Sequence, residues 1–128
     1  MMTNLKLAVL DGEYTVHRLS PESEISADAL TGNFLSIPHT EDELSIVCDA
    51  RLAIDSDKSE TGWACIKVLG PLDFGLTGIL AKIASVLAQA EISIFAISTY
   101  DTDYILVKKD KLSAAQESLT QAGYVFEN

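Results

Sequence analysis

The chemistry easiest to read in this chain sits in one stretch, Gly70-Pro71-Leu72-Asp73-Phe74-Gly75-Leu76-Thr77-Gly78. An apolar run, Trp63 to Leu69, leads into it, and a run of helical apolar period, Leu76 to Ala90, leads out. The stretch therefore joins a strand to a helix, and Pro71 and three glycines hold the junction in restricted or left-handed backbone. A helix entrance presents N–H groups without intrahelical partners, at the positive end of the macrodipole. It can receive a carboxylate or a phosphate. Asp73, just before the helix, suits an N-cap; it is also placed to read a ligand cation, and the two roles are compatible. Gly75 and Gly78 serve either backbone approach to a ligand or close packing of helix on strand.

Other chemistry is harder to find. His17 and His39 lie far apart, are expected on the surface or half-buried, and have no nucleophile beside them in sequence. Cys48 and Cys65 sit in apolar runs without CxxC spacing, so buried free thiols are expected and a metal set is not. No phosphate-binding loop of the Walker type, zinc helix motif or nucleophile elbow occurs. The expectation is a protein with no catalytic residues, no cofactor and no metal.

Charge narrows the partners. The net charge is −10; residues 1–62 hold twelve acids against four bases, and residues 63–128 seven against five. Such a field repels phosphate backbones and argues against nucleic acid. The acidity reads as a solvated surface, with a face for a basic partner as the alternative. No apolar run is long enough to span a bilayer, and Met1-Met2-Thr3-Asn4-Leu5 lacks a basic region followed by an apolar one. A cytoplasmic protein with no membrane partner is expected. With 128 residues, 48% of them apolar, the chain can bury one core or two small ones.

The elements that would position the junction follow in order. Leu5–Leu10 and Tyr14–Leu19 read as strands joined at Asp11-Gly12, a hairpin signal. Ser20-Pro21 opens at most a short helix, ended by Thr31-Gly32-Asn33. Phe34–Ile37 is strand-like up to Pro38. Thr40-Glu41-Asp42-Glu43 fits a capping box, but the short β-branched run Leu44–Cys48 favours one tight turn and then a strand. Residues 49–62 are polar and acidic, a seam between a unit 1–62 and a unit 63–128. The second unit reads more clearly. Strand Trp63–Leu69 precedes a helix with Leu76, Ile79, Leu80, Ile83, Leu87 and Ala90 on one face. Strands Ile92–Ser98 and Tyr104–Lys108 follow. A helix capped by Asp110 carries Leu112, Ala115, Leu119 and Ala122, Gly123 ends it, and Tyr124–Phe126 is a last strand. The order is β-α-β-β-α-β, an α+β ferredoxin-like unit.

That fold alone decides no function. An acylphosphatase-like enzyme needs an anion-holding Arg, and Arg18 and Arg51 both fall outside the second unit. An RNA-binding sheet needs exposed aromatics among bases, and Ile92–Ser98 offers only Phe95.

The run from Gly70 to Leu80, taken with Ile92 to Tyr104, resembles the ACT regulatory domain. More narrowly it is similar to small proteins built from two ACT units, and to the ACT units of aspartokinases and cytosolic arginine sensors. The resemblance covers residues 63–128 well. Residues 1–62 match through Phe34 and Asp42–Val47, with helices short or missing, which makes the first unit a strand-rich, reduced one. The resemblance implies two tandem ACT-type units and a small effector, an amino acid, bound at an interface between units. In that implied site Phe74, Gly75, Leu76 and Thr77 offer donors to the ligand carboxylate. Asp103, and behind it Asp101, offers an acceptor to the ammonium. Ser98 and Thr99 either bond the ligand or satisfy the end of a strand. Tyr100 is a lid or a half-buried aromatic. Ser36 and Ile37 contribute backbone if their edge lines the site. The implied partners are a free amino acid, a second copy in a homodimer and a regulated protein. The alternative is a module that kept the fold, lost the ligand and dimerises or binds protein.

Overall fold

The computed structural model describes residues 5–27, 31–69 and 78–127. It divides into two compact units, Met1–Leu10 with Ala64–Asn128, and Asp11–Trp63. The expected seam grouped residues 1–62, whereas the first strand, β1 (Lys6–Val9), belongs with the C-terminal residues.

In that larger unit β4 (Lys58–Val68) enters from residue 64, followed by α1 (Ile79–Gln89), β5 (Ile94–Ser98) and β6 (Asp103–Lys108). A 3-10 turn, Lys109–Lys111, leads into α2 (Leu112–Gln121), and β7 (Val125–Phe126) ends the unit. The β-α-β-β-α-β order read from sequence is the order observed, and the α+β ferredoxin-like class holds. One feature departs from it: β1 lies between β4 and β7, antiparallel to the first and parallel to the second, with Leu7 opposite Val68 and Phe126. On the far side of β4 come β6 and then β5.

Strand alternation explains why β1 is accepted there. Leu5, Leu7 and Val9 all join the core made with Ile66 and Val68 from β4, Ile83 and Leu87 from α1, and Ala115 and Leu119 from α2. Of the apolar helix positions read from their spacing, Ala90 and Ala122 are exposed C-caps beyond the last helical turn, whereas Ile83, Leu87, Ala115 and Leu119 are fully buried. Truncating such a side chain, as in Leu87→Ala, costs about 2–5 kcal/mol.

Helix ends carry the remaining local detail. Gly78 (φ 77°) precedes α1, and a Cβ there would meet nothing within 4 Å. Its glycine answers a left-handed backbone, not close helix–strand packing. Asp110 was expected to cap α2; it falls instead inside the 3-10 turn, and Lys111 at the N-cap makes no side-chain bond. Gly123 (φ 104°) ends α2 as expected. Its N–H donates to Thr120 O at 3.0 Å and Tyr124 N–H to Leu119 O at 3.1 Å, a Schellman pair with Tyr124 and Leu119 both in the core. The end of α1 repeats the geometry, with Glu91 N–H on Ala88 O and Ile92 N–H on Leu87 O, both at 2.9 Å. Here the left-handed position is Glu91, at φ 59°.

The smaller unit pairs β2 (Tyr14–Leu19) with β3 (Leu44–Asp49) and with the first half of β4. Asp11-Gly12 does turn the chain, with Gly12 at φ 95°, but β1 and β2 do not pair. Each is antiparallel to a different part of β4, so the hairpin reading fails. Lys58–Gly62, read as linker, is strand; its residues are exposed or half-exposed and so lack the apolar alternation that marks a strand. Thr40 makes the tight turn expected before β3, its Oγ1 accepting from Asp42 N–H at 3.1 Å and Glu43 N–H at 3.2 Å. Ser36 and His39 form only isolated bridges to β3, because Pro38 between them has no N–H to donate. Among the described residues this unit has no α-helix. Its core is Leu19, Leu44, Ile46 and Cys48, with Ile25, Leu35, Ile37, Leu52 and Ile54 packed against them.

Left-handed backbone costs a non-glycine residue roughly 1–2 kcal/mol, so Glu91→Gly is expected to stabilise the protein by about 0.5–1 kcal/mol after glycine's greater freedom when unfolded is counted. Denaturant midpoints of the two proteins check this.

Candidate functional site

Of the expected site residues, Ser98, Thr99, Tyr100 and Asp103 come together in one turn. Ser98 and Asp103 are register partners closing β5 against β6. Ser98 Oγ donates to Asp103 Oδ1 at 2.6 Å. A carboxylate offers about four acceptor positions, so this bond uses a fraction of its capacity. Thr99 N–H and Oγ1 both donate to Thr102 O, at 2.8 and 3.0 Å, and Thr102 N–H returns to Thr99 Oγ1 at 3.3 Å. Thr99 therefore builds the turn. Tyr100, at its tip, is 81% exposed, so it is not the half-buried aromatic of the alternative reading.

Sequence reasoning missed Thr102. It is buried, and its Oγ1 donates to Val68 O at the end of β4. That bond fixes the β5–β6 turn beside the point where β4 hands the chain to residues 70–77. The Thr-x-x-Thr spacing of 99 and 102 was the available signal. Beside the turn, Lys67 Nζ lies 6.0 Å from the Tyr104 ring centroid, a cation–π distance.

Asp73, Phe74, Gly75, Leu76 and Thr77 lie outside the described residues. α1, which follows them, has neither a side-chain cap bond nor an acid in its first turn. Ser36 and Ile37 belong to the smaller unit. Ser36 N–H and O exchange bonds with Val47 at 3.0 and 2.9 Å, so that backbone is already committed to β3, and Ile37 packs on the core.

The smaller unit has a cleft of about 450 Å³ lined by Asp11, Gly12, Glu13, Asn33, Asp49, Ala50 and Arg51. Its buried carboxylate, Asp49, is answered by the chain itself. It accepts from Arg51 N–H at 2.9 Å, Nε at 3.0 Å and Nη2 at 2.8 Å. The Arg51 side chain is 84% exposed, so water screens the pair. These hydrogen bonds, with the charge, hold the Asp49 carboxyl below its ordinary value.

Thiol chemistry finds no support. Cys48 and Cys65 are free and buried, and burial pushes Cys65 up to about 12. Among the described residues no cluster of His, Cys, Asp or Glu could hold a metal ion. None of their helices is long and apolar enough to cross a membrane.

Comparison with known proteins completes the description. The ACT domain family model matches residues 58–121, and a second model, described as an N-terminal domain, matches residues 12–54. A crystal structure of an Agrobacterium tumefaciens protein is 40% identical, covers 97% of this chain and 92% of its own, and superposes with a TM-score of 0.88. The cytosolic arginine sensor for mTORC1, subunit 1, of Pongo abelii is 32% identical over 87% of this chain. The chain spans 36% of that relative's length. Aspartate kinase of Clostridium acetobutylicum, 17% identical, shares the fold with a TM-score of 0.65 over 96% of this chain and 35% of its own.

Two outcomes are expected from this geometry. Thr102→Val should cost about 1–3 kcal/mol, because the Val68 carbonyl loses a buried donor; thermal unfolding reads it. The lowered Asp49 carboxyl contributes stability that is present above its ordinary value of 3.8 and lost as pH falls through its folded value. The stability gap between wild type and Asp49→Asn should therefore be largest near neutrality and shrink below pH 3.8 in denaturation curves.

Proposed function

Since the chain belongs to the ACT domain family, we propose that it is a regulatory protein that binds a free amino acid at an interface between ACT-type units. The observation that carries the reading is the Thr102–Val68 hydrogen bond, which ties the turn bearing the Ser98–Asp103 pair to the end of β4. An amino acid needs donors for its carboxylate and an acceptor for its ammonium. In this reading residues 74–77 give the donors, with the Thr77 hydroxyl among them. Asp103, its orientation set by Ser98, gives the acceptor. Asp73 reads the ligand's cation beside Asp103, and Tyr100 closes over it; Ser36 and Ile37, already engaged with β3 and the core, take no part. The relatives named as arginine sensors support an amino acid as the ligand class.

The same reading has the protein acting by binding and not by catalysis. It works in the cytoplasm as a homodimer and passes ligand occupancy to a regulated partner. Residues 11–63 are then a reduced ACT-type unit.

A thermal-shift screen against the twenty amino acids tests this. One chemical class should raise the unfolding temperature, with stabilisation of roughly 2.7 kcal/mol at a hundredfold excess over its Kd. Asp103→Asn should keep the fold and lose the shift. A flat response from a folded wild-type dimer would contradict the reading and favour an interaction module without a ligand.

A further inference from the structure

Residues 50–57 join β3 to β4 as an extended strap. Leu52, Ile54 and Ser56 are partly buried, while Arg51, Ala53, Asp55 and Asp57 are exposed, the alternation of a strand lying on a surface. Leu52 and Ile54 pack on the core of the smaller unit. Backbone bonds anchor both ends. Ala50 N–H donates to Glu13 O at 2.8 Å, Leu52 N–H to Asp49 O at 3.0 Å, and Asp57 N–H to Arg18 O at 3.0 Å.

Beneath the strap lies His17 on β2, on the same face as Leu19 and opposite Ile46. Expected on the surface or half-buried, it is buried, at 7% exposed. Its Nδ1 meets Ser56 Oγ at 2.8 Å, and its Nε2 is buried with no hydrogen-bond partner. A neutral ring tolerates this, since one nitrogen then carries only a lone pair or a single N–H. A protonated ring does not, because both nitrogens become donors and the charge stays out of water.

We propose that His17 and Ser56 form a proton-sensitive latch that holds the strap 50–57 closed when the imidazole is neutral and releases it when the imidazole is protonated.

The charged groups on the surrounding elements give the imidazolium no buried counter-ion. Arg18 on β2, Asp55 and Asp57 on the strap, Lys58 and Glu60 on β4, and Glu22 and Glu24 in the segment after β2 are all exposed. Glu43, before β3, is half-buried and its carboxylate accepts from Ser45. Asp49, at the foot of the strap, is committed to Arg51. The other titratable group on β3, Cys48, stays a neutral thiol because burial raises it. Burial likewise lowers His17 from 6.5. The sign follows: closure is fully favoured above 6.5 and weakens as pH falls from there toward the folded value, by up to about tenfold per pH unit.

Hydrogen exchange on the whole chain between pH 7.5 and 5.0, corrected for intrinsic exchange chemistry, reads the latch. The Leu52 and Asp57 amides should lose protection in wild type as pH falls below 6.5, with a slope of at most about tenfold per pH unit. Amides of α2 should hold theirs, and His17→Gln should flatten the strap's pH slope. Should His17→Gln not fold, Ser56→Ala serves, with strap protection already low at pH 7.5. The proposal is overturned if strap protection in wild type is independent of pH, if His17→Gln keeps the wild-type slope, if Ser56→Ala leaves protection at pH 7.5 unchanged, or if α2 loses protection in step with the strap.

Discussion

The larger unit depends on one strand supplied from the other end of the chain. β1 takes the place between β4 and β7, and its alternate residues Leu5, Leu7 and Val9 enter the core beneath both helices. Without it, β7, two residues long, would have no described strand beside it. The backbone donors of β7 confirm the dependence: Val125 N–H goes to Leu5 O and Glu127 N–H to Leu7 O. The smaller unit is consequently an insertion between β1 and residue 64, and residues 64–127 complete their sheet only with a segment more than fifty positions earlier.

The site inherits its rigidity from the same sheet. β4 is held along one edge by β1, and β6 lies on its other side. Thr102 ties the β5–β6 turn to the last carbonyl of that central strand. The turn closes on itself through Thr99, so Ser98 and Asp103 project from backbone that has few ways to move. A loop so fastened suits recognition, since less ordering entropy is lost on binding. The cleft of the smaller unit differs in kind: its buried carboxylate already has a guanidinium partner from the chain itself.

Both helices and the strands around them were legible because Ile79, Ile83 and Leu87, or Leu112, Ala115 and Leu119, repeat at a period only a helix explains. Gly123 likewise announced its own conformation. What stayed hidden has physical reasons. Alternation in Leu5, Leu7 and Val9 declares a buried face but not the strands beside it, so β1 was assigned to its neighbour in sequence. Asp11-Gly12 marks a turn but cannot say that β4 will take both flanking strands. Lys58–Gly62 is strand without an apolar face. The burial of His17 and Thr102 depends on residues 39 and 34 positions away, Ser56 and Val68, which no local pattern reports. Asp103 and Ser98 were named because a resemblance pointed to them; their hydrogen bond follows from the β5–β6 register, which no local pattern reports.

The most direct measurement is an amide chemical-shift titration of the full chain with the amino acid that stabilises it best. The largest changes should fall on Ser98, Thr99, Thr102 and Asp103 and on residues 73–78, and Asp103→Asn should remove them. Changes centred on Asp49, Arg51 and Asn33, or spread without a focus, would contradict it.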